Sequence, residues 1–258
     1  MTTMSYGELF SLKDKVALVV GAAGGLAEET CLGLAQFGAT LALADMSSEG
    51  MGRVSSLLSS KGIPSWQQVV DVSNEKSVID LFDSLQKRFG RLDIMINYAG
   101  LAAPLTVETI DAREFQRIVN VNLLGSFLLA KQSLSLMVPQ GSGKIILVGS
   151  VQGQIGRPFS AHYSASKGGV HSMVRTLAVE MAKRNIQVNS IAPVFTLTPM
   201  SAPVVEDPQV RERILSTIPM GRLGLPSDLV GAMIFLSSSA SNFVTGQTLF
   251  VDGGCTIS

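Results

Sequence analysis

The chain has 258 residues, of which 46% are hydrophobic and 16% charged, and its 20 lysines and arginines balance its 20 aspartates and glutamates. This composition is typical of one globular domain with a large core, and the neutral balance excludes a strong attraction to nucleic acid or anionic lipid. Cys31 and Cys255 have no metal-ligand or redox spacing, and the N-terminus lacks the regions of a signal peptide. We therefore expect a cytoplasmic protein with no metal, nucleic-acid partner or membrane segment.

Short runs rich in Val, Ile and Leu alternate with helix-length stretches along the whole chain. Most of these runs are apolar on both faces, which is typical of strands in a buried parallel sheet. The pattern predicts a doubly wound parallel sheet with helices on both faces. The predicted strands are 16–20, 40–44, 65–70, 93–97, 144–148, 187–191 and 247–251, and helical stretches include 74–89, 113–137 and 163–184.

No linker or internal repeat divides the chain, so one domain is expected over residues 1–258. The segment at about 195–224 differs in composition, because it is rich in Pro, Thr, Ser and Met. It follows the sixth predicted strand, at the sheet edge where ligands bind in this architecture. The segment is therefore predicted to be a flexible substrate lid.

The first predicted strand leads directly into GAAGGLAEE at residues 21–29. Gly21 and Gly25 provide the tight turn and the close backbone approach that a pyrophosphate requires, and Ala27 is tolerated where a third glycine is often found. Glu28 and Glu29 fall in the first helical turn, where acids interact favourably with the helix dipole and can point to solvent. The alternative is an ordinary connection between a strand and a helix.

Acidic residues end the second and third predicted strands. Asp45 lies where a carboxylate accepts hydrogen bonds from the ribose hydroxyls of NAD, although it could also be the N-cap of the next helix. Asp71 closes the third strand, and it too could be a cap. Taken with the glycine loop, these positions favour dinucleotide binding.

The segment YSASK places Tyr163 and Lys167 four residues apart and thus on one face of a helix. Such a pair alone is often a surface pair. Here, however, it follows a buried strand whose end carries Ser150, and the fourth strand ends in INYAG at residues 96–100. Asn122 lies on a later helix, in NVNLLG.

In these motifs the chain resembles the short-chain dehydrogenase/reductase family, in its compact single-domain branch. The resemblance covers nearly the whole chain and implies a Rossmann-type sheet of seven strands. It rests on GAAGGLA (21–27), DV (71–72), NYAG (97–100), VNLLG (121–125), GSVQG (149–153), YSASK (163–167), IPMGRLGLPSDL (218–229) and TGQTLFVDGG (245–254).

The resemblance implies a catalytic set of Asn122, Ser150, Tyr163 and Lys167. Tyr163 would be the general acid/base, because the lysine ammonium and the oxidised nicotinamide both favour its phenolate. Lys167 would also hold the nicotinamide ribose, and Ser150 would stabilise charge on the substrate oxygen. Asn122 would hold a water on the proton path to solvent. No metal is required, and His162 and His171 are expected to be packing or surface residues.

We expect NAD(H) rather than NADP(H), because Asp45 repels a 2′-phosphate and Met46 offers no cation to bind one. Gly24 is neutral where NADP-dependent relatives often carry Lys or Arg. The substrate pocket is expected to include Gln152, Val194 and Met200. The expected cofactor contacts are Gly21, Gly24, Gly25, Leu26, Asp45, Met46, Asp71, Val72, Asn97, Ala99, Gly100, Tyr163, Lys167, Pro193, Thr196 and Thr198.

The chain departs from the family pattern at Val20, Ala27, Tyr98 and Val194. Val194 replaces the usual glycine beside the nicotinamide, so we expect it to narrow the pocket unless it points into the core. The resemblance also implies a homotetramer, in which the helices at 113–137 and 163–184 pair across one axis. The alternative is that the chain itself covers their second faces.

The predicted activity is NAD(H)-dependent interconversion of a secondary alcohol and a ketone, on a polyol, a sugar or a similar small hydroxy compound. A 3-oxoacyl-thioester reductase shares nearly every motif and is the main alternative. Two further alternatives are a dinucleotide-binding regulator without catalysis and a methyltransferase. The intact set of Ser150, Tyr163 and Lys167 disfavours both.

Overall fold

Seven parallel strands form one sheet in the order β3-β2-β1-β4-β5-β6-β7 in a computed structural model that describes residues 6–199 and 201–258. The predicted Rossmann-type α/β fold is confirmed, and no strand end differs from the prediction by more than two residues. Because β1 pairs with both β2 and β4, the strand order reverses there, which leaves a crevice for a ligand. The strands are β1 Val16–Val20, β2 Thr40–Asp45, β3 Ser65–Val69, β4 Ile94–Asn97, β5 Gly143–Val148, β6 Ile186–Pro193 and β7 Thr248–Val251.

The α-helices of the described residues are α1 Gly25–Gln36, α2 Ser48–Ser60, α3 Glu75–Phe89, α4 Ala112–Val119, α5 Gly125–Gln140, α6 Ala161–Met181, α7 Pro208–Leu215 and α8 Pro226–Ser237. The stretch predicted as one helix at 113–137 is α4 and α5, joined by a π-helical turn at Asn120–Leu124. The predicted stretch is therefore helical throughout, and the π turn is a local change in its hydrogen bonding that the sequence pattern did not indicate. The helix predicted at 163–184 begins at Ala161, and its last turn is a 3-10 helix.

Each face of the sheet has its own core, which explains the apolar central strands. Leu18 and Val20 of β1 face the cluster that includes α3, α5 and α6, whereas Ala17 and Val19 face α1, α2 and α8. All residues of β1, β4 and β5 are buried, as expected for strands covered on both faces. The more polar β3 is an edge strand and is partly exposed.

One helical stretch in the described part of the chain, Ala112–Gln140, is long and apolar enough to cross a membrane by length and composition. Its residues Leu128, Leu129 and Met137 are buried in the core beneath the sheet. The apolar composition of this stretch therefore has a packing explanation within the fold.

The predicted lid at 195–224 leaves the end of β6 and carries a 3-10 turn at Ala202–Val205 and then α7. Its two ends are joined, because Leu197 N donates to Gly224 O at 2.8 Å and Gly224 N donates to Phe195 O at 3.1 Å. The segment thus starts and ends at one place, above the carboxyl ends of the strands.

Candidate active site

The glycine loop begins at Gly21, whose φ of 76° is in the left-handed region that favours glycine. A Cβ added at this position would lie 2.5 Å from Ala99 N, so the loop packs directly against the chain after β4. Helix α1 starts at Gly25, and its N-cap residue, Gly24, has no capping side chain. An uncapped helix N-terminus leaves N–H groups for an anion, so the residues present fit the phosphates of a dinucleotide.

The lid lies directly over this loop. A Cβ added to Gly25 would come within 3.0 Å of both Thr198 Cβ and Pro199 Cδ. Thr198 is stabilised by Ser201, whose hydroxyl accepts from Thr198 N at 2.8 Å. The predicted contact residue Thr198 and the helix N-terminus therefore face each other across a narrow gap.

Asp45, at the end of β2, holds the glycine loop from the other side. Its Oδ2 accepts from Ala23 N at 3.0 Å and its Oδ1 accepts from Ser47 N at 2.9 Å. Ser47 is the N-cap of α2, so the cap interpretation of Asp45 was wrong. Arg53 Nη2 donates to Ala23 O at 3.0 Å, which places a cation at this loop that sequence reasoning missed. The sequence signal for this contact is an arginine in the second turn of the helix that follows β2.

The remaining predicted contacts on this side differ in their accessibility. Met46 is 64% exposed, whereas Leu26 packs against the second core and Val72 is buried in the first. Asp71 Oδ1 accepts from Ser73 N at 2.9 Å and from Ser73 Oγ at 2.7 Å. The Asp71 carboxylate therefore stabilises the turn before α3.

Asn97 ends β4 and is buried at 2% exposure. Its Oδ1 accepts from Ala99 N at 2.9 Å, and its Nδ2 donates to Ser126 Oγ at 3.0 Å. These bonds occupy the side-chain amide of Asn97. A cofactor at this point would therefore contact the main chain of Asn97 and Ala99 and not the Asn97 side chain.

Asn122, in the π turn, joins three parts of the site. Its Oδ1 accepts from Leu101 N at 2.7 Å, while its Nδ2 donates to Leu101 O at 2.9 Å and to Ser166 Oγ at 3.0 Å. A Cβ added to Gly100 would lie 3.3 Å from Asn122 Oδ1 and 3.5 Å from Lys167 Nζ. The loop after β4 thus passes beside both side chains.

Ser150 follows β5 directly and caps the 3-10 turn at Val151–Gly153. Its Oγ accepts from Gln152 N at 3.1 Å, so the hydroxyl proton points to another acceptor. Burial raises the pKa of the Tyr163 phenol, and the nearby Ser150 hydroxyl opposes this rise. Ser150 and Tyr163, 13 residues apart in sequence, are therefore neighbours.

Lys167 lies one helical turn after Tyr163 on α6. Its Nζ is 5.8 Å from the centre of the Tyr163 ring and donates to Val148 O at 2.7 Å. Burial lowers the pKa of Lys167 to about 8. The structure thus brings the four predicted catalytic residues together at the ends of β4 and β5.

Both histidines of the chain are on α6, and both are buried. Neither ring nitrogen of His162 has a hydrogen-bond partner among the described residues. His171 packs between the main chain at Gly149 and at Gly153, where added Cβ atoms would overlap its ring. The edge of the Phe250 ring completes this packing, with ring centres 5.9 Å apart. His171 therefore supports the turn that carries Ser150.

The predicted pocket residues lie beyond the ends of β5 and β6. Pro193 is buried at the end of β6, and Val194 lines a cavity of about 360 Å³ with residues of the lid and of the chain after β7. Val194 O accepts from Thr196 Oγ1 at 2.9 Å. Gln152 Oε1 is buried without a hydrogen-bond partner in the described chain, and Met200 is outside the described residues.

Comparison with known proteins finds relatives over nearly the whole chain. A family model described as "Enoyl-(Acyl carrier protein) reductase" matches residues 21–256. Gluconate 5-dehydrogenase of Gluconobacter oxydans is 34% identical over 255 residues, which are 99% of this chain and 100% of the relative. The 3-oxoacyl-[acyl-carrier-protein] reductase FabG of Thermotoga maritima is 36% identical over 248 residues, 95% of this chain and 99% of the relative.

A solved structure shares the fold over nearly the whole length. It is the gluconate 5-dehydrogenase of Burkholderia cenocepacia, crystallised in complex with NADP and tartrate. The two chains superpose with a TM-score of 0.93 at 33% identity, and the match covers 97% of this chain and 98% of the other. The likeness therefore extends to sequence as well as fold.

Proposed function

The chain belongs to the short-chain dehydrogenase/reductase family and is an oxidoreductase with a nicotinamide dinucleotide cofactor, and we propose that it interconverts a secondary alcohol and a ketone with NAD(H). The proposed substrate is a polyol, a sugar or a similar small hydroxy compound. The single observation that carries this proposal is the juxtaposition of Ser150, Tyr163 and Lys167 at the end of β5. We also propose that residues 1–258 act as one domain in the cytoplasm.

The chemistry requires a proton to leave the alcohol oxygen as a hydride leaves the carbon. When bound, the nicotinamide ring supplies the acceptor or the donor of that hydride. Ser150 Oγ accepts from Gln152 N, which leaves the serine proton for the substrate oxygen. Tyr163 Oη takes the proton from the alcohol in oxidation and returns it to the ketone oxygen in reduction.

A buried tyrosine stays protonated at neutral pH unless a positive charge stabilises its phenolate. Lys167 supplies that charge from the same helix face, with Nζ 5.8 Å from the ring centre of Tyr163. Its ammonium has three donors, of which Val148 O accepts one. The other two N–H groups are available to the ribose and to the proton path.

The proton path is proposed to continue from Lys167 past Gly100 to Asn122. The main-chain oxygen of Asn122 accepts from Ser126 Oγ at 2.6 Å, and a carbonyl oxygen has a second lone pair for a water. The side chain of Asn122 is fully engaged by Leu101 and Ser166. The proposed role of Asn122 is therefore to offer its carbonyl while its amide holds the turn in place.

The preference for NAD(H) is proposed from the Asp45 carboxylate, which lies at the glycine loop and would repel a 2′-phosphate. Arg53, at the same loop, favours the phosphate instead. NADP is bound by the Burkholderia relative. Steady-state kinetics with both cofactors decide the question, and an equal or higher kcat/KM with NADP would show that the preference for NAD(H) is wrong.

The main alternative, a 3-oxoacyl-thioester reductase, is favoured by the similarity to FabG. A panel of polyols, sugars, hydroxy acids and an oxoacyl thioester, each with NAD and NADP, separates the two. We expect turnover of small hydroxy compounds. Faster reduction of the thioester than of any small ketone would establish the alternative.

A homotetramer is proposed from the family resemblance and from the apolar surface of α4 and α5. Phe115, Leu124 and Phe127 are each about two-fifths exposed, so the fold leaves this face of the helices partly uncovered. Light scattering at micromolar concentration tests the proposal. A stable monomer would contradict it.

A further inference from the structure

Arg157 is in the loop that leads from Ser150 to Tyr163, and this loop is held at several points. Ser160 Oγ donates to Arg157 O at 2.8 Å, and Leu105 N donates to Phe159 O at 3.0 Å. Phe159 adopts a φ of 62°, a conformation that costs on the order of 1 kcal/mol for a residue other than glycine. The backbone at Arg157 is therefore held in a defined conformation. Arg157 lies between Ser150 and Tyr163 in the sequence, and both belong to the proposed active site.

The Arg157 side chain is half-buried and has no carboxylate partner within residues 6–199 and 201–258. Its Nη2 donates to Cys255 Sγ at 3.1 Å. None of the ion pairs found among the described residues includes Arg157. The acid nearest in sequence to Cys255 is Asp252, whose two carboxylate oxygens accept hydrogen bonds from Gly254 and Thr256.

A guanidinium has five N–H donors, and a thiol sulfur is a weak acceptor for one of them. Holding such a cation away from water is unfavourable unless an anion or several acceptors compensate it. Arg222, which borders the same part of the molecule, is neutralised by Asp228 at 2.6 Å. Unlike Arg222, Arg157 therefore keeps N–H donors that are available to a carboxylate.

The cavity of about 360 Å³ at Val194 lies next to the C-terminal segment that Arg157 contacts, and Arg157 itself is not among its lining residues. Gly254, which lines this cavity, directly precedes Cys255, the contact of Arg157. Phe250 also lines it and touches His171, which packs beneath the turn that carries Ser150. The cavity has a size typical of small-molecule sites. It is therefore bordered by Val194 beside β6 and by the C-terminal segment that Arg157 contacts.

We propose that Arg157 binds a carboxylate of the substrate, so that the preferred substrate is a hydroxy acid anion rather than a neutral polyol. This inference rests on the proposed alcohol oxidation at Ser150 and Tyr163. It adds a specificity residue and a charged substrate class to that reaction. The named substrate of the Gluconobacter relative, gluconate, is an anion of this class.

The test compares matched pairs of substrates that differ in charge. The first pair is D-gluconate and D-glucitol, and the second is 4-hydroxycyclohexanecarboxylate and its primary amide. Kinetics are measured on the wild type, Arg157→Gln, Arg157→Lys and the control Arg184→Gln, which removes an exposed cation beyond the far end of α6. Thermal melting verifies that each variant is folded.

We expect the wild type to prefer the acid of at least one pair. Arg157→Gln should lower kcat/KM for that acid on the order of 10- to 100-fold, since a charge-assisted hydrogen bond is lost, and leave the neutral partner nearly unchanged. Arg157→Lys should retain part of the preference, and Arg184→Gln all of it. Equal losses for acid and neutral partner, or a wild type without preference for either acid, would overturn the proposal.

A binding measurement separates this proposal from the proposed reaction. Calorimetry with the Tyr163→Phe variant and NADH measures acid binding without turnover, with and without Arg157→Gln. Weaker acid binding only when Arg157 is changed supports the carboxylate site even if no alcohol is oxidised. Turnover of alcohols together with unchanged acid binding in the Arg157→Gln background refutes the carboxylate site and leaves the proposed reaction intact.

Discussion

Asn122 Nδ2 donates a buried hydrogen bond of 3.0 Å to Ser166 Oγ. That hydroxyl in turn donates to the main-chain oxygen of Tyr163 at 2.7 Å. The π turn between α4 and α5 and the first turns of α6 are therefore fixed relative to each other by side chains. The same hydrogen bonds through Ser166 therefore position both Asn122, on the proposed proton path, and Tyr163, the proposed acid/base.

Replacing Asn122 by Ala should weaken both stability and activity. The change removes three hydrogen bonds, two of them to the main chain of Leu101, so we expect a loss on the order of 2–4 kcal/mol in the free energy of unfolding. Ser166→Ala removes only one bond to Asn122 and should cost on the order of 1 kcal/mol. Denaturant unfolding and kcat are measured on both variants. A larger loss of stability for Ser166→Ala would contradict this account.

Tyr163→Phe should reduce kcat on the order of 100- to 10,000-fold, because it removes the proposed proton donor and acceptor. Binding of NADH should change little, since the phenol acts on the substrate proton. NADH fluorescence titration and single-turnover kinetics measure the two effects separately. Retention of a tenth of the wild-type kcat would rule out Tyr163 as the acid/base.

Cofactor choice should respond in opposite directions to changes at Asp45 and Arg53. Asp45→Asn keeps an acceptor for Ala23 N but removes the charge, so kcat/KM with NADP should rise relative to NAD by about tenfold or more. Arg53→Gln should lower any activity with NADP and leave activity with NAD within about twofold. The ratio of the two kcat/KM values is the measurement, and equal shifts for both cofactors would exclude a role in discrimination.

His171 should make the protein sensitive to acid. Burial, followed by the charges of Lys167 and Arg175, lowers the pKa of His171 from 6.5 to about 4. Because the unfolded chain binds this proton more readily, the neutral imidazole contributes stability above pH 6.5, and that stability is lost as the pH falls towards 4. His171→Gln, which does not titrate, should show a smaller decrease in Tm over this range. Parallel Tm curves for variant and wild type would disprove the assignment.

Val194 should limit substrate bulk. It is absent from the described non-glycine residues with positive φ, so its backbone does not require glycine and its side chain occupies cavity space. Val194→Gly should raise kcat/KM selectively for substrates with bulky groups beside the carbinol carbon. A uniform change across substrates of increasing bulk would indicate that Val194 is only a packing residue.

The sequence was sufficient for the sheet, because burial on both faces makes each central strand a short apolar run bounded by polar residues or glycine. It could not reveal the π turn at Asn120–Leu124, since the same apolar pattern suits an uninterrupted helix. Asp45 at the glycine loop was expected, but Arg53 and Arg157 were not. Their positions depend on how a helix and a loop fold back, which short-range periodicity does not encode.

His171 packs between Gly149 and Gly153, so the residue that evolution accepts at one of these three positions depends on the residues at the other two. A side chain at Gly149 would occupy the space of the imidazole, and a smaller residue at 171 would leave a void beside the turn of Ser150. Substitutions here are therefore tolerated as compensating pairs rather than singly. Variation at His171 among homologous chains should accordingly be accompanied by variation at Gly149 or Gly153, even where the reacting groups stay the same.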